Sequence, residues 1–376
     1  TNRFGYTDSY SEYSDVTTKG FSNDLTLNLS QPLFTYNRTK LMLRELEFAL
    51  ENSQLNYAIR VLSLEKDVSQ AFYYVYQQQR GLDIAEQAYS NMQIGYEVTR
   101  RKVDAGLSAR EELLQAELNL ETAKSDLKNK QVALENAKDE FKMLIGMSLY
   151  DDVIVTPDIK IDTVQVDIVF AIDQGLTNRM ELRQREIAIE NSQFDLIQTK
   201  SLNEFKGNLN VSIGLFGDNE RVSDVYANPS NNENVTLSLT IPLWDWGERK
   251  SRIKASQASI DIEKTSFEEE KSSIIMSIRN VFRNLRNLQD QIKIAFQNER
   301  NAELTYDLNL EKYKNGDLTG MDLNMYQNQL SEKQLIYTNS LISYKLELLN
   351  LKIHTLYDFE KKMPLSPVKA PGRLNK

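Results

Sequence analysis

Few side chains in this sequence could do chemistry, and their spacing points away from catalysis. The one histidine, His354, sits in an ordinary helical run, Leu351-Lys352-Ile353-His354. A Ser-His-Asp arrangement or a histidine-based metal site has almost nothing to work with. There is no cysteine, which removes thiolate nucleophiles, disulfides, zinc–thiolate sites and iron–sulfur clusters. No Gly-x-x-x-x-Gly-Lys-Ser/Thr or Gly-x-Gly-x-x-Gly run offers a phosphate cradle. The expectation is no enzyme, no cofactor and no metal. What remains is a pair of acids at matched places: Glu112 stands six residues beyond Gly106, and Asp322 six beyond Gly316. Each opens a helix that returns from a glycine turn, where the helix dipole favours a negative charge.

The elements that hold these acids are long. The chain has 376 residues, with 45 basic and 54 acidic side chains and a net charge of −9. That balance argues against nucleic acid as a partner. No run of 18 apolar residues would cross a membrane as a helix. A transmembrane β-barrel stays open, because its strands leave only a weak hydropathy signal. The chain starts at Thr1 with no apolar leader, and is expected to be a processed chain. All seven prolines fall outside 33–156 and 243–363. Proline breaks helices, so two stretches of more than a hundred residues without it predict very long helices.

The sequence repeats itself at a spacing of 210 residues. Leu25-Thr26-Leu27 matches Val235-Thr236-Leu237, and Pro32-Leu33-Phe34 matches Pro242-Leu243-Trp244. Further on, Phe72 pairs with Phe282, Tyr96 with Tyr306, Gly106 with Gly316, and Leu113 and Leu120 with Leu323 and Leu330. A register kept over nearly a hundred residues implies a duplicated structural unit.

Each unit opens with strands. Leu25, Leu27 and Leu29 alternate with Thr26, Asn28 and Ser30; Val235, Leu237, Leu239 and Ile241 alternate with Thr236, Ser238 and Thr240. Leu209, Val211, Ile213 and Leu215 form a further alternating run, and a first strand is partly visible around Phe4 and Tyr6. Period-two alternation gives one apolar and one polar face. About four strands per chain follow, joined by polar loops near 8–22 and 217–233. Four strands cannot close a membrane barrel, which needs about eight, so other chains must complete it. Phe34, Tyr36, Trp244 and Trp246 sit where strand gives way to helix, a place that suits a membrane–water interface belt.

A helix follows each strand pair. The first runs from about Arg38 to Asp104, roughly 67 residues or about 100 Å at 1.5 Å per residue. It turns at Gly106 and returns from about Ala109 to Ile145, with a three–four seam at Leu113, Ala116, Leu120, Ala123, Leu127, Lys130, Leu134, Ala137, Phe141 and Leu144. The second hairpin turns at Gly316, and its seam includes Leu323, Tyr326, Leu330, Tyr337 and Tyr344. The expected division is a first repeat over 1–165, with strands about 1–34 and a hairpin about 36–147 whose tip is 105–108. An interrupted linker with one helix covers 148–204. A second repeat spans 205–363, with strands about 207–244 and a hairpin about 247–360 whose tip is 315–319, and a tail covers 364–376.

This pattern resembles the TolC family of outer-membrane efflux proteins over nearly the whole chain. The resemblance rests on the strand ends Ser-Gln-Pro-Leu-Phe and Thr-Ile-Pro-Leu-Trp, on the tips at 106–117 and 316–323, and on Asn178-Arg179-Met180-Glu181-Leu182, where Met180 replaces a family proline. It implies a mainly α fold with a β-barrel part. Three chains with four strands each would form a twelve-stranded outer-membrane barrel, continued by an α-helical tunnel in the periplasm. The implied role is the exit duct of a tripartite efflux pump or type I secretion system. The implied partners are two more copies of the chain, outer-membrane lipid, a periplasmic adaptor and an inner-membrane pump of the RND, MFS or ABC type. Copy one lacks a helix before its first strand, so some N-terminal residues are expected to be missing.

The resemblance also implies roles for residues near the tips. Gly106, Leu107 and Ser108, with Gly316, Asp317, Leu318 and Thr319, would meet the adaptor. Asp322 would form an acidic ring in the constriction, and Glu112 would join a hydrogen-bonded lock with Tyr313. Leu318 replaces a lock arginine and Met325 a second acid of the family pattern, which predicts a weaker lock and a ring of three carboxylates. The competing reading, from another class, is a periplasmic coiled-coil adaptor or scaffold without a barrel.

Overall fold

The computed structural model describes residues 2–11, 16–157, 164–202 and 205–365. The elements in chain order are β1 (Asn2–Ser11), β2 (Val16–Leu33), α1 (Arg38–Asp104), α2 (Arg110–Ile145), α3 (Ile168–Asn178), α4 (Met180–Lys200), β3 (Lys206–Asn219), β4 (Ser230–Thr240), α5 (Glu248–Asn315) and α6 (Gly320–Thr355). A two-stranded sheet, β5 (Tyr357–Asp358) with β6 (Met363–Pro364), follows α6. The chain divides into two compact units, residues 1–50 with 185–266, and 51–184 with 267–376. Beyond Leu365 the tail expected at 364–376 lies outside the described residues.

The first unit is built on a four-stranded antiparallel sheet in the order β1-β2-β3-β4. Its register sorts the side chains by chemistry. Leu25 pairs with Leu215, Leu27 with Ile213, Leu29 with Val211, and Leu209 with Leu237. Between these rows Thr26 pairs with Gly214, Asn28 with Ser212, Ser30 with Asn210, and Asn210 with Thr236. One face is therefore mainly apolar and the other small and polar, since side chains alternate across a strand. Phe4 and Tyr6 extend the apolar face against Phe21, with ring centroids 6.0 and 5.0 Å apart. The face stays exposed, with Leu27 at 74%. The apolar band stops where Glu233 stands opposite Ile213 and Asn231 opposite Leu215.

The strands run further than alternation alone indicates. The loop expected near 8–22 is instead mostly ladder, with Asp8 paired to Lys19 and the register kept to Ser11 and Val16. Likewise β3 continues to Asn219 and β4 starts at Ser230, which shortens the loop expected at 217–233. This stretch is held by backbone pairing and a Lys19–Asp8 ion pair at 3.2 Å, and its apolar residues are too few for a sequence pattern to display.

Side-chain caps fix where the long helices start. Asn37 Oδ1 accepts from the Lys40 N–H at 2.9 Å before α1, and the Asp245 carboxylate accepts from the N–H groups of Gly247 and Arg249 at 3.0 and 3.1 Å before α5. These satisfy N–H groups that a helix start leaves open. Phe34 (φ 61°) and Trp246 (φ 53°) take left-handed backbone at these junctions. Phe34 packs on Phe205 at 5.2 Å and Trp244 on Trp246 at 5.6 Å, while Tyr36 is half-buried.

The second unit is helical. Its main core joins α3, α5 and α6 through Ala171, Ile274, Ile278, Leu285, Tyr344 and Leu351. A second core sets Val75 of α1 against Leu134, Ala137 and Phe141 of α2. Of the α2 seam, those three are the buried members; Leu113 and Leu120 are half-buried and Leu144 is exposed. In α6 the seam residues Leu323, Leu330 and Tyr344 are buried. The linker, expected to hold one helix, holds two, α3 and α4; α3 is capped by the Asp167 side chain accepting from the Val169 N–H at 2.9 Å.

Candidate functional site

Both hairpin tips are made the same way. At the end of α1, the Gly106 N–H bonds to Val103 O at 2.9 Å and the Leu107 N–H to Lys102 O at 2.8 Å. At the end of α5, the Gly316 N–H bonds to Tyr313 O at 3.2 Å and the Asp317 N–H to Lys312 O at 2.9 Å. Gly106 and Gly316 have φ of 74° and 94°, backbone that only glycine adopts without strain. The 210-residue register thus holds to the individual hydrogen bond.

The returning helices are capped differently. Thr319 accepts from the Asp322 N–H at 3.2 Å and donates to the Asp322 carboxylate at 2.7 Å. This reciprocal arrangement anchors the first turn of α6. In α2 the N-cap Ala109 has no such side chain; Ser108 donates to the Glu112 carboxylate instead.

Tyr313 is the buried centre of the site, at 4% exposed. Its hydroxyl hydrogen-bonds with Thr99 and also donates to Gly95 O at 3.4 Å. Lys102 Nζ donates to Tyr313 O at 2.6 Å and lies 4.4 Å from the centre of its ring. Burial raises the Tyr313 phenol above its ordinary range; the Thr99 hydrogen bond opposes this and the nearby Glu112 charge adds to it. Tyr306, one turn pair earlier, is pushed up to about 12 by burial, with Asp307 adding to it. Both phenols stay neutral, and that of Tyr313 serves as a hydrogen-bonding group. A cavity of about 390 Å³ separates the two hairpins here, with Tyr313, Thr99, Glu112 and Asn324 on its walls.

The structure therefore brings Glu112 and Tyr313 to one cavity, but gives each another partner in the single chain: Ser108 for Glu112 and Thr99 for Tyr313. Asp322 stands at the start of α6, half-buried and held by Thr319. Leu107 and Met321 are among the most exposed apolar residues at the tips. Gly95, Thr99 and Lys102 were not legible as site residues. Their spacing of four and then three residues puts them on one helix row, yet nothing in the sequence says that the row meets Tyr313. Among the described residues no three His, Cys, Asp or Glu side chains are grouped to hold a metal ion.

His354 is also accounted for. Its Nδ1 accepts from Arg179 Nη1 at 2.8 Å, and Arg179 donates from Nε and Nη2 to Glu181 at 2.9 and 2.6 Å. Burial lowers the His354 pKa from its ordinary 6.5, Arg179 and Lys66 lower it further, and Glu181 and Glu347 oppose them. The fold thus holds the ring neutral. A depressed histidine pKa means that the unfolded chain binds the proton more readily, so its contribution is complete above about pH 6.5 and is lost as pH falls through the folded value. His354→Gln should flatten the fall in stability between about pH 6.5 and 5, measured as thermal midpoints across that range. An unchanged slope would assign the acid sensitivity to other groups.

A model of outer membrane efflux proteins matches residues 4–147 and 171–352. This chain belongs to the outer membrane efflux protein family. Among solved structures, the family member VceC, an outer membrane protein of Vibrio cholerae, is 13% identical and covers 97% of this chain and 87% of its own, with a TM-score of 0.77. The Campylobacter jejuni outer membrane channel CmeC is 14% identical, with 97% and 78% covered and a TM-score of 0.76. The open-state outer membrane channel MtrE of Neisseria gonorrhoeae is 16% identical, with 94% and 80% covered and a TM-score of 0.75. At these identities the likeness is one of fold, and that fold is TolC-like. No curated protein sequence matches the chain. No helix of the described residues is long and apolar enough to cross a membrane.

Proposed function

We propose that this chain is one third of an outer-membrane exit duct for a tripartite efflux pump or a type I secretion system. The observation that carries the reading is the sheet: one exposed apolar face, one small polar face, and, among the described residues, outermost strands β1 and β4 that each pair with one neighbouring strand. In lipid every backbone edge must be paired, so an open sheet has to close with other chains. Three four-stranded sheets would give twelve strands, with Thr26, Asn28, Ser212 and Thr236 lining water and Phe34, Tyr36, Trp244 and Trp246 at the interface. The helices extend the duct into the periplasm, and 148–204 forms its belt. An adaptor docks at Gly106, Leu107 and Ser108 and at Gly316, Asp317, Leu318 and Thr319, and an inner-membrane pump of the RND, MFS or ABC type delivers the cargo. The duct conducts passively.

Three-fold symmetry would bring three copies of Asp322 around one axis. A ring of carboxylates attracts cations and repels anions. Asp322→Asn tests this cleanly, because asparagine keeps an oxygen for Thr319 while losing the charge. Single trimers in planar bilayers should lose cation selectivity and block by multivalent cations. Unchanged selectivity in Asp322→Asn with altered selectivity in Glu112→Gln would move the constriction to the first repeat. A protein that stays monomeric and soluble without detergent would remove the duct altogether and favour the adaptor.

A further inference from the structure

The cavity beside Tyr313 is walled by all four long helices, α1, α2, α5 and α6. The 210-residue register shows why space is left there. Gly95 of α1 and Ala116 of α2 stand where the second copy has Thr305 and Tyr326. Both small residues line the cavity, and a Cβ added at Gly95 would meet nothing within 4 Å. The space of about 390 Å³ is of the size that takes a small organic molecule.

The walls differ in charge. Glu111 and Glu112 of α2 line the cavity, whereas of their counterparts on α6, Met321 and Asp322, only Met321 does. No lysine or arginine lines it, and among the described residues neither glutamate has an ion-pair partner. Ser108 occupies one oxygen of Glu112. The ammonium of Lys102 is already held by Tyr313 O and by the Tyr313 ring. One polar group on the wall is also unmatched. Tyr306 is 4% exposed, and among the described residues its hydroxyl has no hydrogen-bond partner. Buried polar groups are nearly always paired, so an unpaired hydroxyl on a cavity wall marks a place for a polar atom of an occupant.

We propose that this cavity binds a small organic ammonium ion, with its charge at Glu111 and Glu112, its apolar body against Met92 and Leu323, and a polar hydrogen or lone pair on the Tyr306 hydroxyl. The ammonium donates to carboxylate oxygens that no other cation holds, and such charge-assisted bonds are the strong ones. The rings of Tyr96 and Tyr306, which are register partners, also line the cavity, and aromatic faces attract cations. An anion of the same shape would meet two carboxylates and no basic group. Because the walls come from both repeats, an occupant holds the two hairpins together and stabilises the arrangement that it binds. The site is complete within one chain and does not depend on the duct.

The full chain, purified in nonionic detergent, is titrated calorimetrically with three probes of one shape: 4-phenylbutylammonium, 4-phenylbutanol and 4-phenylbutyrate. The ammonium should bind about tenfold more tightly than the alcohol, and the carboxylate should not bind. Glu111→Gln with Glu112→Gln should bring the ammonium down to the level of the alcohol, and Tyr306→Phe should weaken both. Ala116→Leu, which fills the space, should abolish binding of both, and it also corrects for uptake by the micelle. Equal affinity for ammonium and alcohol in the parent chain overturns the proposal without relying on any variant. Ammonium binding that survives Ala116→Leu overturns it as well, and binding of no probe leaves a cavity that holds water only. A chain that is monomeric in detergent yet binds the ammonium in this way overturns the duct and leaves the site standing.

Discussion

Lysine at Leu27 should cost the assembled barrel about 2–4 kcal/mol if the site lies near the bilayer midplane, whereas lysine at Thr26 should be tolerated. The two residues are neighbours on β2 and differ only in face. Leu27 lies in the row with Ile213, and Leu29 and Leu25 flank it against Val211 and Leu215. In the proposed barrel, a charge there would place an ammonium in hydrocarbon. Thr26 pairs with Gly214, in the row of small polar residues that would line water. Leu237 and Thr236 repeat the contrast on β4, where Leu237 pairs with Leu209 and Thr236 with Asn210. Denaturant unfolding of trimers refolded in bilayers would measure the difference. Equal responses on the two faces would mean that the apolar face meets protein and not lipid.

Gly175→Val should destabilise the helical unit by about 1–3 kcal/mol or more, through overpacking. Gly175 lies in α3, and a Cβ there would collide with Ile278 Cδ1 and come within 3.2 Å of His354 O. Ile278 is fully buried in the main core, so it has nowhere to move. Gly95→Ala is the control with the opposite sign. It lies inside α1, and an added Cβ would meet nothing within 4 Å. Alanine there should stabilise by about 0.4–1 kcal/mol, by narrowing the unfolded ensemble and favouring helix. Thermal midpoints read from the helical circular dichroism of both variants, beside the parent chain, would decide. A neutral Gly175→Val would show that α3 is free to back away from α5.

How much of this was legible before the structure depends on the range of each signal. Proline placement and the glycines at 106 and 316 are local signals, and α1, α2, α5 and α6 follow them closely. Leucine alternation located the apolar face of β2, β3 and β4 for the same reason. It went silent in the polar ends of β1 and β2, where Asp8, Ser9, Thr18 and Lys19 keep the backbone ladder without an alternating leucine to mark it. α3 escaped because eleven residues rich in apolar side chains fit either period. At the tips, the glycines, Glu112, Asp322 and Tyr313 were singled out, but the partners of Tyr313 were not. Thr99 and Lys102 lie more than two hundred residues away in sequence, and no local pattern encodes a contact of that span.

The pairing of β2 with β3 has a temporal side. Leu27 bonds across to a strand centred on Ile213, and the whole first hairpin and the linker are made in between. At about 5–20 residues per second of synthesis, β2 waits roughly 10–40 s for its neighbour. During that interval its only companion is β1, and a lone two-stranded ribbon is marginally stable in water. Its leucines and its unpaired edge are then open to any other strand. A cell making this protein must therefore shelter a sticky ribbon until the rest of the chain arrives, and that need is set by the order in which the repeat was written into the chain.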